Sequence, residues 1–402
     1  MSEISGYREI RRILLEKTVP AGTGTVALDK SRGRVLAEDV KAVLSIPDFE
    51  KSPYDGYALR AGDTVAASKE NPVTLTILEE VPAGSFPTKT VTQGTAVKIL
   101  TGAPIPEGAD VVVPFERTQF TDTAVTLSAP LRSRDNIIRI GEDVDAGTLL
   151  ARAGQVVDLG VASSLACQGI PEVKVYKRPV IGLISTGSEL AEPGEARNPG
   201  QIYNSNRYSI QFALEEAGCE VKYLGLAGDE TETIAQGMAA ALPDCDAVVL
   251  TGGVSVGDYD LTPAAMEAIG AEILARGCAM KPGMACAFGL KDGKLLYGLS
   301  GNPASSITSF YAVVLPSLRK LCGKLEPIPA EIDMVLTKGF PKGSPIDRML
   351  RGVLDAGTGK FYPADRQGNV AISSMIGCNA MAVIPGGSGP VEAGASVKGF
   401  LL

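Results

Sequence analysis

Three short glycine-bearing words hold residue types that can grip an anion: Ser185-Thr186-Gly187-Ser188-Glu189, Thr251-Gly252-Gly253-Val254-Ser255-Val256-Gly257-Asp258 and Gly298-Leu299-Ser300-Gly301-Asn302-Pro303. Glycine lets backbone N–H groups turn toward a ligand, and helix N-termini complete such a cradle. One loop of this kind is equally a plain turn, whereas three favour a phosphate-bearing ligand. None has the Walker or G-x-G-x-x-G spacing, which disfavours an ordinary P-loop NTPase or dinucleotide enzyme. Glu189, Asp229 in LAGDET, and Asp258 and Asp260 in GDYD lie in or beside these words. Oxygen donors without imidazole suit Mg²⁺, which takes one or two carboxylates plus phosphate oxygens. Taken singly, each acid reads first as a solvated turn residue. Lys281 in MKPGM follows an apolar strand, where it is either a point charge for a tetrahedral oxyanion or a solvated strand-end lysine. Asp55 in SPYDGYAL, Thr101 in LTGAPIPEGAD and Asp143 in GEDV sit in polar turns, where Asp and Thr ordinarily cap the chain.

The composition limits this chemistry. The 402 residues contain no His, which excludes Ser-His-Asp and Cys-His nucleophiles with their usual base, and His-based metal sites. A formal charge of −8 without clustered basic charge gives no reason to expect a nucleic-acid partner. Seven cysteines, an odd number and none in C-x-x-C spacing, predict reduced, mostly core thiols and a cytoplasmic protein. The opening MSEISGYREIRRILLEK has no signal-peptide pattern, and no run of eighteen apolar residues occurs, so no membrane span is expected.

The elements that must hold these residues follow from periodicity. Tyr7, Ile10 and Leu14 predict an amphipathic helix over 4–17. From 18 to 175, short β-branched runs such as VTLTIL, TAVKIL and AVTLS alternate with Gly and Pro, as strands joined by tight turns do. Beyond Pro179, strand and helix alternate through PVIGLIS, SNRYSIQFALEEAG, CEVKYLGLA, TETIAQGMAAAL, DAVVL and LTPAAMEAIG, which predicts a parallel sheet with helices on both faces. GLKDGKLLYGL predicts a hairpin at Asp292-Gly293, and Asn302-Pro303 opens a long helix. Residues 331–402 return to short strands. Length predicts two or three domains, and the fold class is multidomain α/β plus β.

In chain order, SPYDGYALR, TGAPIPEGADVVVPFE, GEDV, STGSEL, GQIYNSN, TGGVSVGDYD, MKPGM, GNPASS and QGNVAISSM resemble the molybdopterin molybdenumtransferase family, the molybdenum insertases of molybdenum-cofactor synthesis, to which the gephyrin E domain is related. The resemblance covers almost the whole chain. It implies an elongated homodimer with four parts per subunit: a discontinuous linker domain (1–45 and 141–175), an inserted β-rich domain (46–140), a molybdopterin-binding α/β domain (176–326) and a C-terminal β-barrel (327–402). It also implies Mg²⁺-dependent insertion of molybdenum, supplied as molybdate, into adenylylated molybdopterin with release of AMP. The substrate would be supplied by a molybdopterin adenylyltransferase. Asp55, Thr101, Asp143, Glu189, Asp229, Asp260 and Lys281 fall on the family's functional positions, with Asp229 and Asp260 as metal ligands. Gly252, Gly253, Ser255, Gly257, Asp258, Asn302, Pro303 and Ser305 fall on binding positions. Of these, Lys281 and Ser305 would hold molybdate.

Three departures stand out. The family's usual KPGK word ends in Met284, its GLPGNP word has Ser300 for proline, and before GEDV the chain has Ile138-Arg139-Ile140 in place of an arginine run, with Arg132 and Arg134 close by. Fewer cations weaken binding of a dianion, each buried contact mattering by roughly 1–3 kcal/mol. A divergent or tungsten-selective paralogue and a non-catalytic pterin carrier on the same scaffold are the alternative readings. The inserted domain and the barrel count against a simple adenylyltransferase.

Overall fold

Four apolar runs, Glu220–Ala227, Val180–Thr186, Ala247–Thr251 and Lys294–Leu299, pair side by side in parallel in that spatial order. Their register is level at one end: Thr186 lies opposite Ala227, Ser185 opposite Thr251, and Thr251 opposite Leu299. The loops that leave these strands therefore start from one edge. This computed structural model describes residues 4–254 and 261–402.

The strands predicted to be parallel are so, and the predicted hairpin at Asp292-Gly293 adds an antiparallel edge that makes the sheet mixed. Asp292 and Gly293, both at positive φ, turn Cys286–Lys291 directly into Lys294–Leu299. A two-residue turn can join only antiparallel neighbours. Cys286–Lys291 and then Glu272–Arg276 thus extend the sheet antiparallel to six strands.

Alternate residues of these strands face opposite sides. Ile181, Leu183, Val249 and Tyr297 pack with Ile210 and Leu214 of the helix Ser205–Ala217, with Tyr7, Ile10 and Leu14 of the helix Tyr7–Lys17, and with Phe310 and Leu318. Ile184, Val248, Leu250 and Leu296 pack on the other face with Ile234 and Met238 of Thr231–Ala241 and Met266 of Leu261–Ala268. The helix predicted from Asn302 is interrupted. Pro303–Ser309 is α-helical, Phe310–Val314 widens into a π turn, and Leu315–Leu321 resumes the α-helix. Pro316 lacks the N–H that would close an i→i−4 bond, and the wide turn comes just before it.

Ile332–Leu336, Asp347–Asp355, Lys360–Pro363, Ala380–Ile384 and Ser396–Leu401 close into a five-stranded barrel, because Asp347–Asp355 pairs with both Lys360–Pro363 and Ala380–Ile384. Met334, Leu336, Leu350, Phe361 and Ile384 fill it.

Packing divides the chain into two units, one of Met1–Glu38, Ala153–Leu159 and Glu172–Leu402, the other of Asp39–Arg152 and Gly160–Pro171. The second has its own six-stranded sheet, ordered Val111–Pro114, Gly56–Leu59, Thr95–Ile99, Val73–Val81, Ala124–Leu127, Gln119–Phe120. Tyr57, Leu59, Leu75 and Val113 fill one side of that sheet, and Val81, Val97, Ile99 and Val112 the other. Among the described residues, no helix is long and apolar enough to cross a membrane, and all seven cysteines are free thiols.

Candidate active site

The level strand ends open on a cavity of ≈ 570 Å³. Its wall takes Thr186, Gly187 and Glu189 from the loop after the first strand, Asp229 from the next, Gly252 to Val254 from the third, and Ser300 to Pro303 from the fourth. The carboxyl edge of a doubly wound sheet is where such folds bind ligands. Tyr203 and Ser205 bring the start of the helix Ser205–Ala217 to the same cavity, with the positive end of its dipole there.

Each loop is held from behind. Gly252 donates its N–H to Leu299 O at 2.9 Å. The hydroxyl of Thr262 donates to Gly252 O at 3.1 Å, and its N–H donates to Gly253 O at 2.9 Å. Gly252 has φ +102°, and a Cβ there would lie 2.4 Å from Thr186 Oγ1 and 2.5 Å from Thr186 O, so only glycine fits. The Asn206 amide donates to Gly301 O at 2.9 Å, and Asn302 N–H donates to Ser300 Oγ at 3.2 Å. A serine at 300 thus supplies a side-chain acceptor that a proline there would lack.

The acids are placed by the same loops. Ser188 N–H donates to Asp229 Oδ2 at 2.8 Å and ties two adjacent loops together, leaving Oδ1 outside that bond. Ile202 N–H donates to Glu189 O at 2.8 Å, alongside the two-residue pairing of Leu190–Ala191 with Ile202–Tyr203. Behind them Glu192 accepts from Tyr223 OH at 2.8 Å, Arg207 Nη1 at 2.8 Å and Asn204 Nδ2 at 3.1 Å. Burial alone would push the Glu192 carboxyl up, but these three donors together hold it below the ordinary range. Asn204 in turn caps the Ser205–Ala217 helix by accepting from Arg207 N–H.

The structure thus brings Glu189, Asp229, Gly252, Gly253, Asn302 and Pro303 into one cavity. Ser255, Gly257, Asp258 and Asp260 lie outside the described residues. Ser305 is buried in the helix Pro303–Ser309, and Lys281 is exposed at the end of the short strand Met280–Lys281; neither lines the cavity. Asp55 and Thr101 meet in the other unit, where Asp55 Oδ1 accepts from Thr101 N–H at 2.7 Å and from Thr101 Oγ1 at 2.8 Å. Those two bonds hold the Asp55 carboxyl below its ordinary range. Asp143 belongs to the same unit, exposed, with its N–H donated to Ile46 O at 3.0 Å. Tyr203, Ala285 and Val370 also line the cavity, although the sequence did not mark them as such. Tyr203 and Val370 sit inside the motif words GQIYNSN and QGNVAISSM, which was their available signal.

Among the described residues, no group of three or more Asp, Glu or Cys side chains is close enough to form a metal cage. Two carboxylates on a histidine-free cavity wall fit Mg²⁺, which completes its shell with phosphate oxygens and water.

Known proteins resemble the chain over its full length. Residues 6–169 match the MoeA N-terminal region (domain I and II), 182–320 a "Probable molybdopterin binding domain", and 333–402 the MoeA C-terminal region (domain IV). A molybdopterin molybdenumtransferase of Staphylococcus aureus (strain MRSA252) is 38% identical over 391 residues, covering 96% of this chain and 93% of its own. One from Staphylococcus epidermidis is 36% identical over 393 residues, covering 97% and 94%. The crystal structure of the molybdopterin biosynthesis moeA protein of Pyrococcus horikoshii OT3 superposes with a TM-score of 0.86 at 30% identity, covering 100% of both chains.

Proposed function

The chain belongs to the MoeA family, a transferase family of molybdenum cofactor biosynthesis, and from that premise we propose that its cavity binds adenylylated molybdopterin and exchanges AMP for molybdenum delivered as molybdate. The observation that supports this reading most is the meeting of Glu189 and Asp229 with the Gly252-Gly253 and Ser300–Pro303 turns in one cavity. The glycine turns and the start of the Ser205–Ala217 helix would take the phosphates, and Asn302 would orient them. Glu189 and Asp229, together with Asp260, would hold Mg²⁺, which when bound neutralises phosphate charge. Asp229, held at Oδ2 by Ser188 N–H, would offer its other oxygen to the metal. No thiol of the chain is needed as nucleophile, because the dithiolene sulfurs that receive the metal belong to the substrate. Lys281 and Ser305 are proposed for molybdate, and Asp55, Thr101 and Asp143 for the same reaction. The reading also proposes a homodimeric cytoplasmic enzyme supplied by a molybdopterin adenylyltransferase.

The test is the purified chain with adenylylated molybdopterin, Mg²⁺ and molybdate, following AMP by chromatography and active cofactor by reconstitution of an apo-molybdoenzyme. Both products are expected together and only with molybdate present. Pterin binding without AMP release, with tungstate as well as molybdate, would overturn the catalytic reading and leave a carrier.

A further inference from the structure

Away from the cavity, two helices end against each other. The helix Ser205–Ala217 closes at Gly218, which has φ +102° and is followed by Cys219. The helix Leu315–Leu321 closes at Cys322. The two sulfurs stand 3.9 Å apart, in van der Waals contact, and Cys322 Sγ lies 3.7 Å from Ala217 O, to which its thiol donates. The pair is 103 residues apart in sequence, so the fold and not local chain geometry brings it together.

A buried thiol pair is ordinarily inert. This one differs in two respects. First, Cys322 lines a cleft of ≈ 60 Å³. One water needs about 10–15 Å³ of such space, so the cleft admits a small reagent and excludes a bulky one. Second, Arg34, Lys177, Arg178 and Lys324 line that cleft, and among the described residues none of the four makes an ion pair within 4 Å. Glu216 is the single acid on the wall. Excess positive charge beside a thiol stabilises the thiolate, which is the nucleophile. The hydrogen bond from Cys219 outweighs the burial that would raise the Cys322 thiol and, with Lys324 and Arg178 adding to it, holds that thiol below its ordinary range, while the hydrogen bond with Cys322 and burial push Cys219 up.

We propose that Cys322 and Cys219 form an oxidisable dithiol, with Cys322 the peroxide-reactive thiol and Cys219 the resolving one. The Cys322 thiolate attacks one oxygen of hydrogen peroxide, the O–O bond breaks, and the leaving hydroxide takes up the proton released by Cys322 as water. The Cys322 sulfur is now a sulfenic acid. The Cys219 sulfur then attacks it, an S–S bond forms as the S–O bond breaks, and the departing hydroxide takes the Cys219 proton as a second water. Two thiols lose two electrons in total and one peroxide gains them. The product ties together the C-terminal ends of the two helices. The first of these begins at the cavity and, through Asn206, holds Gly301.

The experiment treats the folded, reduced full-length chain with hydrogen peroxide, quenches it, and maps peptides by mass spectrometry with and without dithiothreitol. The expected result is a Cys219–Cys322 cross-linked peptide 2 Da lighter than the reduced pair, reversed by the reductant. In Cys219→Ser, Cys322 should be trapped as sulfenic acid by dimedone added after unfolding. In Lys324→Gln the cross-link should form several-fold more slowly. Oxidation of exposed Cys167 with no Cys219–Cys322 peptide in the folded wild-type chain would overturn the proposal. So would an equal oxidation rate at Cys322 and at Cys245, a buried thiol that does not line the cleft.

Discussion

At the scale of single residues, charge and shape can be separated by choosing substitutions that change one and keep the other. Asp229→Asn keeps an acceptor for Ser188 N–H, so the loop geometry survives while the charge is lost. AMP release should fall by at least 100-fold, or about 2.7 kcal/mol in transition-state terms, with the thermal midpoint unchanged. Turnover within a few-fold of wild type would remove Asp229 from the chemistry. The glycines give a matched pair. Gly252→Ala places an L-residue at φ +102°, which costs about 1–2 kcal/mol, and drives its Cβ into the Thr186 carbonyl, which cannot step aside. Gly301→Ala would bring its Cβ to 3.6 Å from Gly252 Cα, an ordinary contact. Thermal unfolding should therefore show a clear loss for the first and no change for the second. Equal midpoints would mean that the 252 turn relaxes.

At the scale of elements, the Glu192 cluster decides whether the start of the Ser205–Ala217 helix stays at the cavity. Its three donors are directed at one carboxylate, and hydrogen bonds to a charged partner are worth about 1.5–3 kcal/mol. Glu192→Gln should lower unfolding stability near pH 7 by roughly 1–3 kcal/mol. The folded state holds Glu192 below its ordinary range, so its contribution is complete above the unfolded pKa and is lost as pH falls through the folded one. Urea unfolding of wild type and variant should therefore converge in acid; a gap that persists there would assign the loss to packing. Glu192 was invisible in the sequence, because nothing local links it to Tyr223, which a separate strand supplies. The glycine loops were legible for the opposite reason, each lying directly after an apolar run whose end could be read from the chain. The antiparallel edge and the π turn were not legible as such. The first depends on which strand the hairpin docks against, and the second on how one helix accommodates Pro316 while packing on two neighbours. For Lys281 the sequence left open an oxyanion-binding charge or a solvated strand end, because it could not show that Met280–Lys281 pairs with Asp347–Arg348 of the barrel strand and not with the six-stranded sheet.

At the scale of the molecule, the C-terminal barrel and the α/β sheet share one packed unit, and a buried cation couples them. Arg351 is fully buried on a barrel strand, where its Nε donates to Ser374 Oγ at 2.8 Å and its Nη2 to Gly368 O at 3.2 Å. Among the described residues its Nη1 has no hydrogen-bond partner and no ion pair includes it. Burial pushes its pKa down, although arginine remains charged. A buried charge is costly unless hydrogen bonds offset its desolvation, and those of Arg351 go to Arg366, Gly368 and Ser374 of one segment. That segment presents Asn369 O to Ala304 N–H at 3.0 Å, at the start of the Pro303–Ser309 helix, and sets Val370 on the cavity wall. Arg351→Ala would strand Ser374 and Gly368 without their donor and leave a void, a loss of about 2–5 kcal/mol. Arg351→Lys would keep the charge but could not span both partners with one ammonium. If the segment depends on this side chain, both variants should raise KM for the pterin substrate more than they lower kcat, and the lysine variant should do so with the smaller fall in thermal midpoint. A destabilised protein with unchanged KM would show that Asn369 and Val370 are held by the α/β unit itself, and that the barrel contributes stability alone.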